Sequence, residues 1–289
     1  MATIVGVHGI GQRSKSEDIL HAEWFPPLCE GIESIGMPGV LPEQLKCVFY
    51  GDLFLDSGTR SFGQEWTMDD LTEKWEQEFA GELDAEAARV LGEDPEERVR
   101  FVRISGMTQL GFRFLLRVPG FGSLTESTVI NWFVKEAYRY MHDPEIRETA
   151  RQRIVDAITD DTRIVFAHSL GTVAAYEALA LSRKKIDLFI TAGSPLGIPR
   201  LFYEKLHPEL EHNERRGWPV NVKRWVNLSQ PGDVVCLRKS LRDLFYEYRA
   251  EIEDHLLPNP GYFRAHDADN YLRSPEAAKA VASILHPAA

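Results

Sequence analysis

The chain has 289 residues, of which 33 are Lys or Arg and 44 are Asp or Glu, so its formal net charge is −11. With 44% hydrophobic and 10% aromatic residues it has the composition of a globular protein, which excludes a wholly disordered, collagen-like or coiled-coil chain. The acidic balance argues against nucleic acid as the main partner, because binding to phosphates requires basic surfaces.

Short apolar runs alternate with helical patterns along the chain, which predicts βαβ units and a mostly parallel sheet. The predicted strands are residues 3–7, 45–50, 163–167, 187–191 and 222–228. The predicted helices are residues 16–35 with an interruption at Pro26-Pro27, then 69–91, 125–141, 145–158, 170–181 and 275–285, the last with Ser274 as its N-cap. The predicted fold class is therefore α/β.

Residues 53–142 interrupt this alternation, and we interpret them as a helical insertion within a single domain of residues 1–289. Residues 110–121 are apolar but broken by glycine and arginine, as a cap or lid over a substrate pocket would be. Phe112 and Phe114 are the candidates for lining such a pocket. The alternative is that the inserted helices complete the core on one face of the sheet.

The sequence also predicts where the protein resides. It has no run of about 18 uncharged apolar residues, so we expect no transmembrane helix. The start of the chain lacks the basic region of a secretory signal. Cys29, Cys47 and Cys236 have neither disulfide-framework nor zinc-site spacing. We therefore expect a cytoplasmic protein with buried or incidental thiols and no metal.

The most informative segment combines a predicted strand, a tight turn with one serine, and a helix of small residues. Its centre reads Ala167-His168-Ser169-Leu170-Gly171. A nucleophile elbow requires small residues two positions before and two positions after the serine, here Ala167 and Gly171. Alanine replaces the more common glycine at the first position without changing this steric requirement. The alternative is an ordinary strand–helix turn in which Ser169 is the N-cap.

The loop after the first strand supports the elbow. Acyl transfer requires two backbone N–H groups directed at the oxyanion, and we expect them from Leu170 and from Ile10 in this loop. His8 and Gly9 precede Ile10 and are predicted to contact the substrate. The rival interpretation is a dinucleotide-binding loop, since residues 9–14 approximate G-x-G-x-x-G. No acidic ribose partner ends an obvious second strand, which weakens that alternative.

Together these segments resemble the α/β-hydrolase superfamily, in its serine esterase and lipase group. The matching segments are residues 7–11, 167–171 and 192–195. The resemblance covers residues 2–51 and about 145–286, and it leaves the insertion unmatched. It implies a parallel sheet flanked by helices, catalysis without a cofactor, and the chain order nucleophile, acid, histidine.

This order implies an acid at the end of a late strand and a histidine before the last helix. Asp233 meets the first requirement, because it follows predicted strand 222–228 through a Pro-Gly turn. His266 meets the second requirement. The competing assignments are His255 as the base and Asp243 or Asp254 as the acid.

The expected function is hydrolysis of a carboxylic ester, with lipid-like esters among the candidate substrates. Ser169 would be the nucleophile, His266 the general base and Asp233 the orienting acid, with an acyl-enzyme intermediate. His168 is expected to be structural. The alternatives are an acyltransferase or thioesterase that uses the same residues, and a non-catalytic interaction protein on the same fold.

Overall fold

The strands of the structure, a computed structural model, form one main sheet. Residues 2–55, 71–90, 92, 130–208, 216–246, 251–258 and 265–287 are described. Their strands are β1 Ile4–Val7, β2 Leu45–Val48, β3 Ile164–His168, β4 Leu188–Ala192, β5 Arg216–Gly217, β6 Trp225–Ser229, β7 Phe245–Tyr246 and β8 Glu253–Leu256. Six of them pair in parallel in the order β2-β1-β3-β4-β6-β8, and β5 and β7 pair separately.

Seven α-helices flank the sheet in the described part of the chain. They are α1 Glu17–Ser34, α2 Lys74–Val90, α3 Glu136–His142, α4 Pro144–Ala157, α5 Leu170–Leu181, α6 Ala268–Leu272 and α7 Pro275–Leu285. A π-helix, Ile130–Lys135, leads directly into α3. The predicted α/β class is therefore confirmed.

The central strands are buried on both faces, which explains their nearly continuous apolar sequences. Successive side chains of a strand point to opposite faces, and β3 shows the result. Ile164 and Phe166 belong to the core shared with α1, α6 and α7, whereas Val165 and Ala167 belong to the core shared with α2, α3, α4 and α5.

The strand order creates a switch point between β1 and β3. After β1 the chain passes to β2 on one side, and it later returns to β3 on the other side of β1. Ligands of open α/β sheets bind outside the carboxyl ends of the strands at such points. His8 and Ser169 follow β1 and β3 directly, so the fold brings two predicted site segments to this position.

Two details of the predicted elements are wrong. α1 runs through Pro26 and Pro27 without interruption, because Leu20, Trp24 and Leu28 bury one side of the helix against the sheet. Packing of this apolar stripe outweighs the hydrogen bonds that proline removes. Asp254 lies on β8, the sixth strand of the sheet, which was not among the predicted strands.

The described part of the insertion packs into the core. Trp75 and Phe79 of α2 are buried against Phe202, and the Trp75 indole N–H donates to the Leu201 carbonyl at 3.1 Å. Phe112 and Phe114 lie outside the described residues. Within the described ranges, every helix is too short or too polar to cross a membrane.

Candidate active site

The turn between β3 and α5 holds Ser169 in a strained backbone conformation. Its φ is 54° and its ψ is −132°, a combination that non-glycine residues rarely adopt. The Ser169 side chain makes no N-cap hydrogen bond to α5, so the alternative of an ordinary N-cap is wrong. Thr172 instead holds the turn, because both its backbone N–H and its hydroxyl donate to the Ser169 carbonyl.

The small residues around Ser169 permit a close approach of two backbone segments. A Cβ atom on Gly171 would lie 2.6 Å from the carbonyl oxygen of Val7 and would overlap the His8 carbonyl. A Cβ atom on Gly9 would lie 2.5 Å from the Cβ of Ser169. The loop after β1 and the turn after β3 therefore pack backbone against backbone, which only glycine allows at these positions.

The structure brings the three predicted side chains Ser169, His266 and Asp233 together. His266 Nε2 lies 2.9 Å from Ser169 Oγ, and His266 Nδ1 lies 2.9 Å from both carboxylate oxygens of Asp233. With neutral imidazole, the serine hydroxyl donates to Nε2 and Nδ1–H donates to the carboxylate. Ser169 and Asp233 are buried, and the His266 side chain is 11% exposed. This arrangement suits the serine for activation by the histidine.

Asp233 is held ionised by several donors. The backbone N–H groups of Val235 and Cys236 donate to Oδ1, and the Tyr271 hydroxyl donates to Oδ2 at 2.6 Å. Burial is the largest single influence and by itself raises the pKa of this carboxyl. The neighbouring His266, Lys239 and Tyr271 outweigh burial and hold the pKa of Asp233 below its usual range.

Tyr271 was not predicted from the sequence. It lies on α6, a short helix between His266 and the last helix, and its partner is 38 positions away. Burial, followed by the nearby Asp233, raises its pKa well above the ordinary value, so the hydroxyl stays protonated and remains a donor. No local pattern around Tyr271 indicates this contact.

The segment after β4 requires a glycine at position 193. The φ of Gly193 is 55°, and an added Cβ would lie 2.7 Å from Asp233 Oδ2 and 3.2 Å from His266 Nδ1. The segment thus leaves room for the acid and the histidine to meet. A side chain at this position would push them apart.

Two aromatic side chains orient His266. His168 Nε2–H donates to the His266 carbonyl at 2.7 Å, and the two ring centroids are 4.8 Å apart. Burial lowers the pKa of His168 to about 3, which keeps its ring neutral. Phe133, from the π-helix of the insertion, lies with its ring 5.6 Å from that of His266.

His8 fixes the loop after β1. The backbone N–H of Tyr50 donates to His8 Nε2 at 3.1 Å, so the ring proton is on Nδ1, which donates to the Gly9 carbonyl at 2.5 Å. Burial lowers the pKa of His8 to about 4. Both ring nitrogens are therefore engaged within the protein, and the predicted substrate contacts of His8 and Gly9 stay a prediction.

Glu136, the first residue of α3, binds the next part of the same loop. Its carboxylate accepts from the Gly11 backbone N–H at 2.8 Å and from Arg13 Nε at 2.6 Å. Burial, opposed by Arg13 and by the Gly11 amide, raises the pKa of Glu136. The two residues that meet here are 125 positions apart, and no sequence pattern linked them.

The predicted oxyanion donors belong to the two segments that meet at the serine. Leu170 is the first residue of α5, so its N–H has no acceptor within the helix. Ile10 follows Gly9, whose backbone contacts Ser169. The role of the Ile10 and Leu170 amides as donors stays a prediction.

The competing residues lie on β8 or just before β7. His255 lies on β8, and its carbonyl accepts from the Ser229 hydroxyl. Asp254 accepts from the backbone N–H groups of Leu241 and Arg242, so it anchors a turn. Asp243 lies two positions before β7 and is exposed.

The loop after β1 differs from a dinucleotide-binding turn. In that turn the glycines lead directly into a helix whose N-terminus faces the pyrophosphate. Here α1 begins only at Glu17, and the Ser16 hydroxyl accepts from the Ile19 N–H of its first turn. In the described ranges, no group of three or more His, Cys, Asp and Glu side chains is arranged to hold a metal ion.

Comparison of the chain with protein-family models, with curated proteins and with solved structures gave no match. The six-stranded parallel sheet flanked by helices is compatible with the α/β-hydrolase fold. The functional interpretation therefore depends on the fold and on the geometry of the site.

Proposed function

We propose that this protein is a serine-dependent hydrolase of carboxylic esters, with an α/β-hydrolase fold. One observation carries this conclusion: Ser169, in a strained turn after a central strand, is joined by hydrogen bonds through His266 to the buried Asp233. A serine hydroxyl is a weak nucleophile at neutral pH, and a hydrogen-bonded histidine with an orienting carboxylate activates it.

The reaction follows from this geometry. Ser169 Oγ attacks the ester carbonyl carbon while its proton passes to His266 Nε2, and the carbonyl electron pair moves to oxygen. The amides of Ile10 and Leu170 stabilise the oxyanion. His266 then protonates the leaving alcohol as the ester C–O bond breaks, leaving an acyl-enzyme. A water molecule, deprotonated by His266, releases the acid and regenerates Ser169.

Asp233 supports both halves of this cycle. Its carboxylate keeps the His266 proton on Nδ1, so that Nε2 is free to accept the serine proton. When His266 becomes charged, the carboxylate lies beside it and stabilises that charge. Because its pKa lies below the usual range, Asp233 is ionised throughout the neutral pH range.

Fluorophosphonate labelling tests the proposal. A fluorophosphonate should phosphonylate Ser169 with loss of fluoride, which intact mass spectrometry and peptide mapping detect. Ser194→Ala is the matched control, because Ser194 is also a buried serine near the turn, hydrogen-bonded to Thr172. Ser169→Ala should lose labelling and ester hydrolysis, whereas Ser194→Ala should keep both. Labelling that persists in Ser169→Ala would contradict the assignment.

A hydrolase and an acyltransferase differ in the molecule that accepts the acyl group from Ser169. Incubation of the enzyme with a p-nitrophenyl ester and an added alcohol separates these activities, since a hydrolase yields mainly free acid and an acyltransferase yields mainly the new ester. A thioester substrate in the same assay tests the thioesterase alternative.

The same proposal includes a cap formed by residues 53–142. It is supported by Phe133, which brings the insertion next to His266. Phe112→Ala and Phe114→Ala should lower the ratio of long-chain to short-chain kcat/KM, because each buried methylene contributes about 1 kcal/mol. An unchanged ratio with reduced stability in both variants would favour core packing instead.

A further inference from the structure

The peptide group that carries the Ile10 N–H is fixed from one side. Its carbonyl, that of Gly9, accepts from His8 Nδ1–H at 2.5 Å. In a trans peptide the C=O and N–H bonds point in opposite directions, so this hydrogen bond directs the Ile10 N–H away from the His8 ring. Tyr50 keeps the required His8 tautomer by donating its N–H to Nε2.

The next peptide group is fixed by a different part of the chain. Its N–H, that of Gly11, donates to Glu136 Oε2 at 2.8 Å. Gly11 has a φ of 76°, a conformation that is open to glycine, and the carbonyl of the same peptide, that of Ile10, accepts from Gln12 Nε2 at 3.0 Å. Glu136 thus restrains the backbone on the C-terminal side of Ile10.

Glu136 is itself held in place. Its side chain is 1% exposed, and its second oxygen accepts from Arg13 Nε at 2.6 Å. Arg13 belongs to the same loop, two positions after Gly11, so one carboxylate binds the loop at two points. Phe133, three positions before Glu136, lies against His266. One short segment of the insertion therefore contacts the loop and the histidine.

We propose that Glu136 is a positioning residue that orients the Ile10 amide for stabilisation of the oxyanion, and that it thereby links the insertion to the chemistry at Ser169. This inference rests on the proposed function. Glu136 does not contact the reacting atoms, and it acts through the backbone of residues 10–13. Its loss should weaken binding of the transition state more than binding of the ester, because only the transition state has a full oxyanion.

Steady-state kinetics of Glu136→Leu and Glu136→Gln test this inference, with kcat expressed per site that a fluorophosphonate labels at completion. In Glu136→Leu we expect kcat to fall about 10- to 100-fold while KM changes less than about 3-fold, since the donor is misplaced rather than removed. Glu136→Gln keeps a carbonyl that can accept from Gly11, so its loss of kcat should be smaller. If Glu136→Leu does not fold, the kinetics of Glu136→Gln still test the inference.

The second measurement uses an alkyl trifluoromethyl ketone. Ser169 Oγ adds to its carbonyl carbon, the proton passes to His266, and the resulting hemiketal oxyanion occupies the same position as that of the reaction. Across the Glu136 variants, the inhibition constant should rise by the same factor as kcat/KM falls. A general loosening of the fold would not produce this proportionality.

Glu177→Gln is the matched control. Glu177 is also 1% exposed and accepts from a backbone N–H, that of His207, and from an arginine Nε, that of Arg147. Glu177→Gln should leave the inhibition constant of the trifluoromethyl ketone unchanged. Wild-type kcat in Glu136→Leu, an unchanged inhibition constant, or an equal effect of Glu177→Gln would overturn the inference. Failure of the wild-type enzyme to label at Ser169 would instead overturn the proposed function.

Discussion

Two regions contact the candidate site, and they do so in different ways. The strand-end region, defined here as residues 8–9, 169–171, 193 and 233, is built from segments that approach so closely that a side chain would clash at Gly9, Gly171 and Gly193. The insertion region, residues 74–90 and 130–142, reaches the site through the side chains of Phe133 and Glu136. In our proposal the first region fixes the positions of Ser169, Asp233 and His266, and the second adjusts the orientation of groups that the first already holds.

This difference predicts how each region responds to substitution. A change in the strand-end region should abolish activity or disrupt the fold, because nothing else can occupy its backbone contacts. A change in the insertion region should alter rates or stability by smaller amounts, because a side chain is replaced on an intact scaffold.

The largest effect is expected from His266→Ala. Without the base, kcat for an activated short ester should fall by roughly four to six orders of magnitude, nearly as much as in Ser169→Ala, and the double variant should be little worse than either single variant. Asp233→Asn should be somewhat less damaging. Steady-state kinetics, with folding checked by circular dichroism, measures these effects.

His255→Ala is the control for this series, because His255 lies on β8 and was the competing base. It should keep kcat within about 3-fold of wild type. Inactivity of His255→Ala together with an active His266→Ala would show that the assignment of the base is wrong.

Gly171→Ala should strongly destabilise the protein. The added methyl group would overlap the backbone carbonyls of Val7 and His8, which cannot move without separating β1 from β3. We expect a loss of at least about 3 kcal/mol in the free energy of unfolding, measured by urea denaturation. A variant of wild-type stability would remove the proposed distinction between the two regions.

Acid should destabilise the protein through buried groups around the site. His8 and His168 have pKa values of about 4 and about 3 in the folded state, against an ordinary value of 6.5. The unfolded chain therefore binds protons that the folded chain does not, and stability falls as pH drops below 6.5. Each histidine should contribute a loss of about 2 kcal/mol between pH 7 and pH 5.

Asp233 acts in the same direction at lower pH. Its pKa is lowered in the folded state, so its stabilising contribution is present above the unfolded value of 3.8 and is lost as pH falls further. Thermal unfolding as a function of pH measures these effects. His168→Gln removes one of the two histidines and should flatten the dependence above pH 5, and an unchanged slope would argue against the buried neutral His168.

The smallest effect is expected in the insertion region. Gly81 lies within α2, and an added Cβ would have no neighbour within 4 Å. Gly81→Ala should therefore raise the free energy of unfolding by about 0.5–1 kcal/mol, because alanine loses less backbone entropy in a helix. Its kcat should equal that of wild type. The free energy of unfolding should therefore rise in Gly81→Ala and fall in Gly171→Ala, which would support the distinction between the two regions. Destabilisation by Gly81→Ala would argue against that distinction.

Much of the fold could be predicted because its signals are local. The strand–turn–helix at Ser169 depends on small residues within two positions of the serine, and the boundaries of α5 and α7 follow from adjacent helix signals. The strand β8 was missed because its four residues, Glu-Asp-His-Leu, lie at the edge of the sheet and are incompletely buried, so they lack an apolar run.

The sequence alone determined the α/β class, because its strands and helices can be identified from their own residues. It selected Ser169 from the small residues of its turn, and Asp233 and His266 from the chain order that the resemblance to α/β-hydrolases implies. Only the tertiary structure decided that these three side chains lie within hydrogen-bonding distance, that Tyr271 and His168 contact Asp233 and His266, and that Glu136 binds the loop after β1. Those supporting contacts join residues 38 to 125 positions apart. Such pairs leave no periodicity in the chain, since their meeting depends on strand order and helix packing rather than on neighbouring residues.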